Sequence, residues 1–301
     1  MSNDTPADDY EALLADTLIH WRDAIYDGIL VEHVAPAVQI HAHASLLDIE
    51  ESWDVSGCFP LVPEDTALSD HYGHGVFTRL SSASTSIRSG LQAIQARTDG
   101  HAAVAIARRA HESLWQAFWL SNPEISADER VRRLLVLTGR DIKEAKRLFS
   151  NAANALVHGK LSGHLARIKS VVPSFDYQAR YGRSDYTDYY ARRANDPMSA
   201  RLPPEPEGAD GPSFAWNMMS NMTHPNMVFD LLTQTQPDFQ DLMNRLQIDV
   251  VSNAVGCVCN LSTTLMEQAR MPEDQVDAVN RAFHQPVFAL AQLLEMRRLH
   301  E

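Results

Sequence analysis

Apolar residues recur at spacings of three and four along most of the chain, which is the period of an amphipathic α-helix. The first apolar stripe runs from Tyr10 to Ile25, and Thr5 followed by Pro6 supplies a cap and a first-turn proline for its helix. No segment of useful length alternates apolar and polar residues as a half-buried strand would. The pattern therefore predicts an all-α protein, built as a multi-helix bundle.

Capping signals place the helices in the middle of the chain. We expect helices near 80–96 and 102–120, the second of which stops at an Asn-Pro pair. Ser126 and Glu129 form a capping box that opens a further helix. Its apolar line continues as far as Leu156, and Gly159 suits the position just after its end. This predicts one long helix of roughly 45 Å at 1.5 Å per residue.

The last third of the chain predicts a buried central helix and two closing helices. The segment 237–269 is apolar nearly all round at its centre but is interrupted by polar residues. Such a composition is typical of a helix inside a bundle and not of a membrane span. Pro272 and Pro286 each suit the first turn of a closing helix.

Glycine and proline interrupt the helical pattern in two places. Between Trp53 and Val76 we expect a long irregular segment. The stretch 171–212 alternates tyrosine with arginine and is then rich in proline, which predicts an excursion from the bundle. These breaks suggest N-terminal helices with an irregular loop (1–78) packed on a main bundle (79–301) that contains the excursion.

Composition limits the classes of function. The 301 residues carry a net charge of −13, which argues against a protein that wraps nucleic acid through a general positive field, although a local basic site stays open. Three cysteines are too few for a disulfide framework, and the acidic N-terminus lacks the features of a secretory signal. We therefore expect a cytoplasmic protein.

Two groups of polar residues are candidates for a ligand site. Arg108, Glu112 and Trp115 share one face of the 102–120 helix. One interpretation is an ion pair beside a tryptophan that lines a cleft; the alternative is an ion pair on the protein surface. On the predicted long helix, Arg147, Asn154 and His158 form a polar stripe with Asn151. A similar stripe precedes Pro225 and consists of Asn217, Ser220, Asn221 and His224.

The two stripes, each ending in histidine, suggest a polar pocket between helices. His224 and His158 would then serve as acid and base near neutral pH, with Ser220 or Glu112 orienting them. The arginines, asparagines and tryptophan of both groups would bind the ligand. The alternative is that the stripes are solvated faces or a polar seam that holds two helices in register.

Metal and cofactor sites are not predicted. His41-x-His43 and Asp70-His71-x-x-His74 offer imidazoles, but residues two apart on a helix point to different faces. Cys257-x-Cys259 fails the same test. The chain also lacks the glycine-rich loops that bind phosphates and the helical histidine–glutamate spacing of zinc and di-iron sites. We expect no metal and no cofactor.

Four stretches resemble a pattern found in uncharacterised all-helical bacterial proteins. They are RRAHESLW at 108–115, SNPE at 121–124 with ERVRR at 129–133, and SNMTHP at 220–225. Those proteins are distantly similar to HEPN-type helical domains, many of which are dimeric ribonucleases of phage-defence or toxin systems. The resemblance covers about 79–268. The HEPN nuclease motif has an arginine four to six residues before a histidine, and no arginine stands so before His158 or His224.

Two functions follow from these observations, and the sequence does not decide whether the chain is an enzyme. The first is a HEPN-like interaction or regulatory protein, in a defence or toxin-type system, that binds a protein partner or a small ligand. The second is a ribonuclease that uses the histidine pair. The tyrosine–arginine tract makes RNA a candidate partner, the resemblance implies a homodimer, and no membrane partner is expected.

Overall fold

The computed structural model describes residues 6–60, 63, 65–96, 100–149, 154–173 and 235–298. These residues form an all-α bundle, which confirms the predicted fold class. The helical elements in chain order are α1 (Pro6–His20), a π-type segment (Trp21–Val34), α2 (Ala35–Leu46), a 3-10 segment (Leu47–Ser52), α3 (Leu68–Gln95), α4 (Gly100–Ser121), α5 (Ala127–Leu148), α6 (Ala155–Val171), α7 (Pro237–Gln268) and α8 (Glu273–Arg298).

The core lies where α3, α4 and α7 pack on one another. Ile87 and Leu91 of α3 are fully buried, as are Val251 and Val255 of α7. The predicted burial of the central helix is therefore confirmed. By length and composition Met243–Gln268 could cross a membrane, but 56 % of its most apolar window is buried inside the bundle.

Trp21 ties the N-terminal helices to the rest of the bundle. Its side chain is fully buried, and its indole N–H lies 3.1 Å from both the carbonyl oxygen and the hydroxyl oxygen of Ser84 on α3. Its ring meets the edge of Phe283 on α8 at a centroid distance of 6.0 Å. One side chain thus connects the π-type segment, α3 and α8.

The C-terminal part of the described chain is one helix, so the prediction of two closing helices was wrong. α8 continues through Pro286, which has no N–H to donate to the carbonyl of Ala282 four residues earlier. The His20 imidazole Nε2 lies 2.9 Å from that oxygen and supplies the missing donor. A tertiary hydrogen bond therefore compensates for the proline.

The predicted irregular segment is shorter than expected, because α3 begins at Leu68 and includes Gly73 and Gly75. These glycines serve close packing and do not break the helix. A Cβ atom on Gly73 would lie 2.4 Å from the side-chain oxygen of Gln39, and one on Gly75 would lie 2.7 Å from Cδ1 of Leu134. Glycine thus allows α2 and α5 to approach α3.

Alanine substitutions at the two glycines should change the stability by different amounts. Gly73→Ala should stabilise the protein by up to about 1 kcal/mol through helix propensity, because the exposed Gln39 side chain can move aside. Gly75→Ala should leave the protein about 1–3 kcal/mol less stable than Gly73→Ala, because the buried Leu134 must be displaced. Urea unfolding of both variants measures this difference. Equal stabilities would contradict the packing role of Gly75.

The predicted long helix is two helices. Its start is confirmed, since the Ser126 hydroxyl accepts a hydrogen bond of 3.2 Å from the backbone N–H of Glu129. However, α5 ends at Leu148 and α6 begins after Asn154, so Gly159 lies inside α6. α6 then returns along α5, and we call the pair the α5–α6 hairpin.

The N-terminal helices of the predicted unit 1–78 pack against α3, α7 and α8. Apart from its first three residues, the predicted excursion at 171–212 lies outside the described residues.

Candidate functional site

The predicted ion pair on α4 is present. Nε of Arg108 lies 3.2 Å from a carboxylate oxygen of Glu112, and both side chains are partly exposed. Trp115 and Trp119 stack one turn apart with ring centroids 5.8 Å apart, and Trp115 is buried. The Trp115 ring therefore belongs to the core, and the Glu112 carboxylate is engaged by Arg108.

The predicted histidine stripes are not assembled in the described structure. Arg147 is exposed at the end of α5 and pairs with Glu144 at 3.4 Å. Asn154 directly precedes α6 and His158 lies within it, so the expected single stripe with Arg147 on one helix was wrong. The second stripe lies outside the described residues; its members are Asn217, Ser220, Asn221 and His224.

A buried polar network joins four helices where no site was predicted. Nη1 of Arg130 on α5 lies 3.3 Å from Nε2 of His41 on α2 and 3.2 Å from the Tyr72 hydroxyl on α3. The Tyr72 hydroxyl in turn donates to the carbonyl of Leu120 on α4 at 2.6 Å. Arg130 and His41 are each 6 % exposed, so the network is closed to a substrate.

The electrostatics of this network keep His41 neutral. Burial, together with the nearby Arg130 charge, lowers the pKa of His41 to about 4. A neutral imidazole can accept a hydrogen bond from the guanidinium, whereas an imidazolium would repel it. No carboxylate pairs with Arg130 within the described ranges. The network is therefore a structural junction that depends on an uncharged histidine.

The ERVRR residues that contributed to the resemblance pack α5 against α4. Arg133 donates to Glu129 at 3.1 Å and to the carbonyl of Trp119 at 2.7 Å, and its guanidinium lies 4.6 Å from the Trp119 ring centroid. Arg130 is the centre of the buried network. In this chain the motif therefore has an evident structural use.

An open cleft of about 510 Å³ lies where the loop after the 3-10 segment meets the base of the α5–α6 hairpin. Its polar groups are paired: the Trp53 indole N–H donates to Asp128 at 2.8 Å, and Arg167 forms an ion pair with Asp54. The Arg167 guanidinium lowers the pKa of the Asp54 carboxyl. His164 also lies 2.8 Å from the carbonyl of Gly57. These contacts fix the base of the hairpin.

The histidines near the N-terminus occupy separate environments. His41 belongs to the buried network, whereas the His71 ring stacks on the Phe59 ring with the two centroids 3.9 Å apart. Burial lowers the pKa of His71. Within the part of the chain that the structure describes, no three histidine, cysteine or acidic side chains are grouped closely enough to hold a metal ion.

The distal half of the α5–α6 hairpin extends away from the core. The last buried residue of α5 is Ile142, and the first buried residue of α6 is Ile168; none of the described residues between them is buried. Four apolar side chains at this end are exposed, and we call them the hairpin tip: Leu148, Phe149, Leu156 and Val157. Leu148 is 78 % exposed and Leu156 is 75 % exposed.

The hairpin is basic in an acidic chain. α5 and α6 together contain ten lysines and arginines against four acidic residues, whereas the rest of the chain contains 16 against 35. No aspartate or glutamate occurs in 145–173. The basic side chains nearest the tip are Lys143, Lys146, Arg147 and Lys160. Counting charge for each predicted helix, and not only for the whole chain, would have shown this asymmetry.

The described structure therefore has a closed polar junction at Arg130 and an open, basic and apolar surface at the end of the α5–α6 hairpin. Of these two, only the second is accessible to a partner. Comparison of the chain with family models, with curated proteins and with solved structures finds no match in any of the three.

Proposed function

We propose that the chain is a HEPN-like helical interaction protein that binds an anionic partner surface through the distal half of the α5–α6 hairpin. The observation that carries the proposal is the exposed hairpin tip among basic residues. Large apolar side chains that cluster in solvent often mark an interaction site. A local positive field within an otherwise acidic molecule favours a partner of negative charge.

The distal half of the hairpin contributes little to the bundle. Between Ile142 and Ile168 no described side chain is fully buried, although Leu161 and Leu165 are half-buried against the core. The base of the hairpin is fixed by Trp53, Asp54 and Arg167. The four residues of the hairpin tip are exposed and are not among the side chains that pack against the core. A binding role accounts for these residues and for the basic side chains near them.

The described contacts favour binding over acid–base catalysis. Glu112 is held by Arg108, and Arg147 lies on a different helix from His158. A catalytic role for His158 would need partners that the described residues do not bring together in one cleft. The interaction function is therefore our first proposal.

Charge reversal on the hairpin should abolish binding to an immobilised polyanion. Wild-type protein should be retained on heparin at low ionic strength and released as salt screens the interaction. The triple variant Lys143→Glu, Arg147→Glu, Lys160→Glu should pass through the column, because the local field changes sign. Each replaced side chain is exposed, so the thermal unfolding temperature should stay nearly constant.

A matched triple variant controls for total charge. Arg22→Glu, Arg109→Glu, Arg281→Glu also replaces three exposed basic residues but leaves the hairpin intact, and it should be retained like the wild type. Equal loss of retention in both variants would contradict a role for the hairpin. If the wild type cleaves RNA and His158→Ala loses that activity at unchanged stability, the ribonuclease function replaces the binding proposal.

A further inference from the structure

We infer that the partner of the hairpin is an anionic lipid surface, into which the hairpin tip inserts while the surrounding basic side chains contact the headgroups. This inference rests on the proposed function and names its partner. It departs from the sequence-based expectation of no membrane partner, and it concerns contact with a surface, not a membrane span.

The tip has the shape that insertion requires. It lies at the end of two antiparallel helices, roughly 9 Å beyond Ile142 along α5 and roughly 8 Å beyond Leu161, the described side chain of α6 nearest the tip that packs against the core, at 1.5 Å per residue. Interfacial apolar side chains typically lie about 5–10 Å deep, at the boundary of headgroups and acyl chains. The projection is long enough for the tip to reach that depth while the core stays outside.

The residue types favour lipid over the other anionic partners. Three of the four tip residues are aliphatic, and Phe149 is the only aromatic one. Protein surfaces that bind single-stranded nucleic acid use several aromatic rings on which bases stack. Protein interfaces are depleted of lysine at their centre, and their binding energy comes mostly from tryptophan, tyrosine and arginine. Aliphatic side chains beside lysines are instead typical of interfacial membrane contacts.

The charge distribution also fits a lipid surface. Lys143, Lys146, Arg147 and Lys160 flank the tip, and lysines near an anionic leaflet are attracted to it within about one Debye length. That length is about 8 Å at physiological ionic strength. A second copy joined tip to tip would instead bring two basic hairpins together.

Vesicle flotation of the full chain tests the inference. Wild-type protein should float with vesicles of phosphatidylcholine containing about 30 % phosphatidylserine, and not with phosphatidylcholine alone. The variant Leu148→Ser, Leu156→Ser should lose about tenfold in binding, because the inserted apolar area is removed and charge alone anchors weakly. The control Leu47→Ser, Phe288→Ser replaces two exposed apolar residues outside the hairpin and should float like the wild type.

The outcomes separate this inference from the proposed function. If wild-type protein is retained on heparin through the hairpin but does not float with anionic vesicles, the lipid inference is overturned and the interaction function stands. Flotation that is unchanged by the leucine substitutions would also overturn it. A third result would also overturn it: the hairpin binds poly(U) RNA, the Leu148→Ser, Leu156→Ser variant keeps that binding, and the wild type does not float with vesicles. If wild-type protein is not retained on heparin, or if charge reversal on the hairpin does not change its retention, the proposed function is overturned instead.

Discussion

Replacing Trp21 with alanine should lower the free energy of unfolding by about 3–5 kcal/mol, the usual cost of removing a large aromatic side chain from a core. Trp21 is fully buried between the π-type segment, α3 and α8, so its loss opens a cavity at their junction. It also removes the donor to the carbonyl and hydroxyl of Ser84. Urea unfolding followed by circular dichroism measures the change.

Trp21→Phe separates the hydrogen bonds from the packing. Phenylalanine retains most of the ring volume but has no N–H, so we expect a loss of about 1–3 kcal/mol, the cost of leaving buried polar partners unsatisfied. A loss below about 1 kcal/mol in Trp21→Ala would show that the junction does not depend on this side chain.

Acidification should destabilise the protein through His41. In the folded state burial holds the pKa of His41 at about 4, whereas in the unfolded chain it has the ordinary value of about 6.5. Between these values the unfolded chain binds a proton that the folded protein does not, so stability falls as the pH falls from 6.5 to 4. The full contribution of this residue is about 3 kcal/mol.

A glutamine at position 41 provides the comparison. Its side-chain oxygen can accept from Arg130, but it does not titrate, so the stability of His41→Gln should depend less steeply on pH between 6.5 and 4. Other titrating groups, including His71, are common to both proteins and cancel in the difference between the two curves. Parallel curves for wild type and variant would refute a neutral buried His41.

Local patterns predicted those parts of the fold that depend on neighbouring residues. The capping box at Ser126 and the pair between Arg108 and Glu112 follow from spacings of three and four along one helix. The apolar residues at helical spacing around His111 likewise indicate a core histidine, and its Nε2 lies 3.2 Å from the carbonyl of Val250. Each of these features follows from helical periodicity.

Features that depend on distant residues were missed for physical reasons. The sequence predicts that Pro286 starts a helix, since no residue near it in sequence replaces its missing N–H. The donor that does so is His20, 262 positions from the carbonyl it reaches. The local pattern predicts a helix break around Gly75. Its packing role depends on Leu134, which belongs to another helix and cannot be found from local spacing. The Arg130 network joins residues 89 and 58 positions apart, and no local spacing indicates it. The basic excess of the hairpin can be counted in the sequence, but the net charge of the whole chain, −13, does not reveal it.

The pairing of α1 with α8 bears on how the chain folds during synthesis. α1 packs on a helix whose contact residue Ala282 follows His20 by 262 positions, so α1 cannot reach its native neighbour until most of the chain has been made. At 5–20 residues per second that delay is roughly 13–52 s. α3 and α4, by contrast, are adjacent along the chain and can pair as soon as both emerge. The apolar face of α1 therefore stays without its final partner during translation, and this is the interval in which a chaperone would protect it.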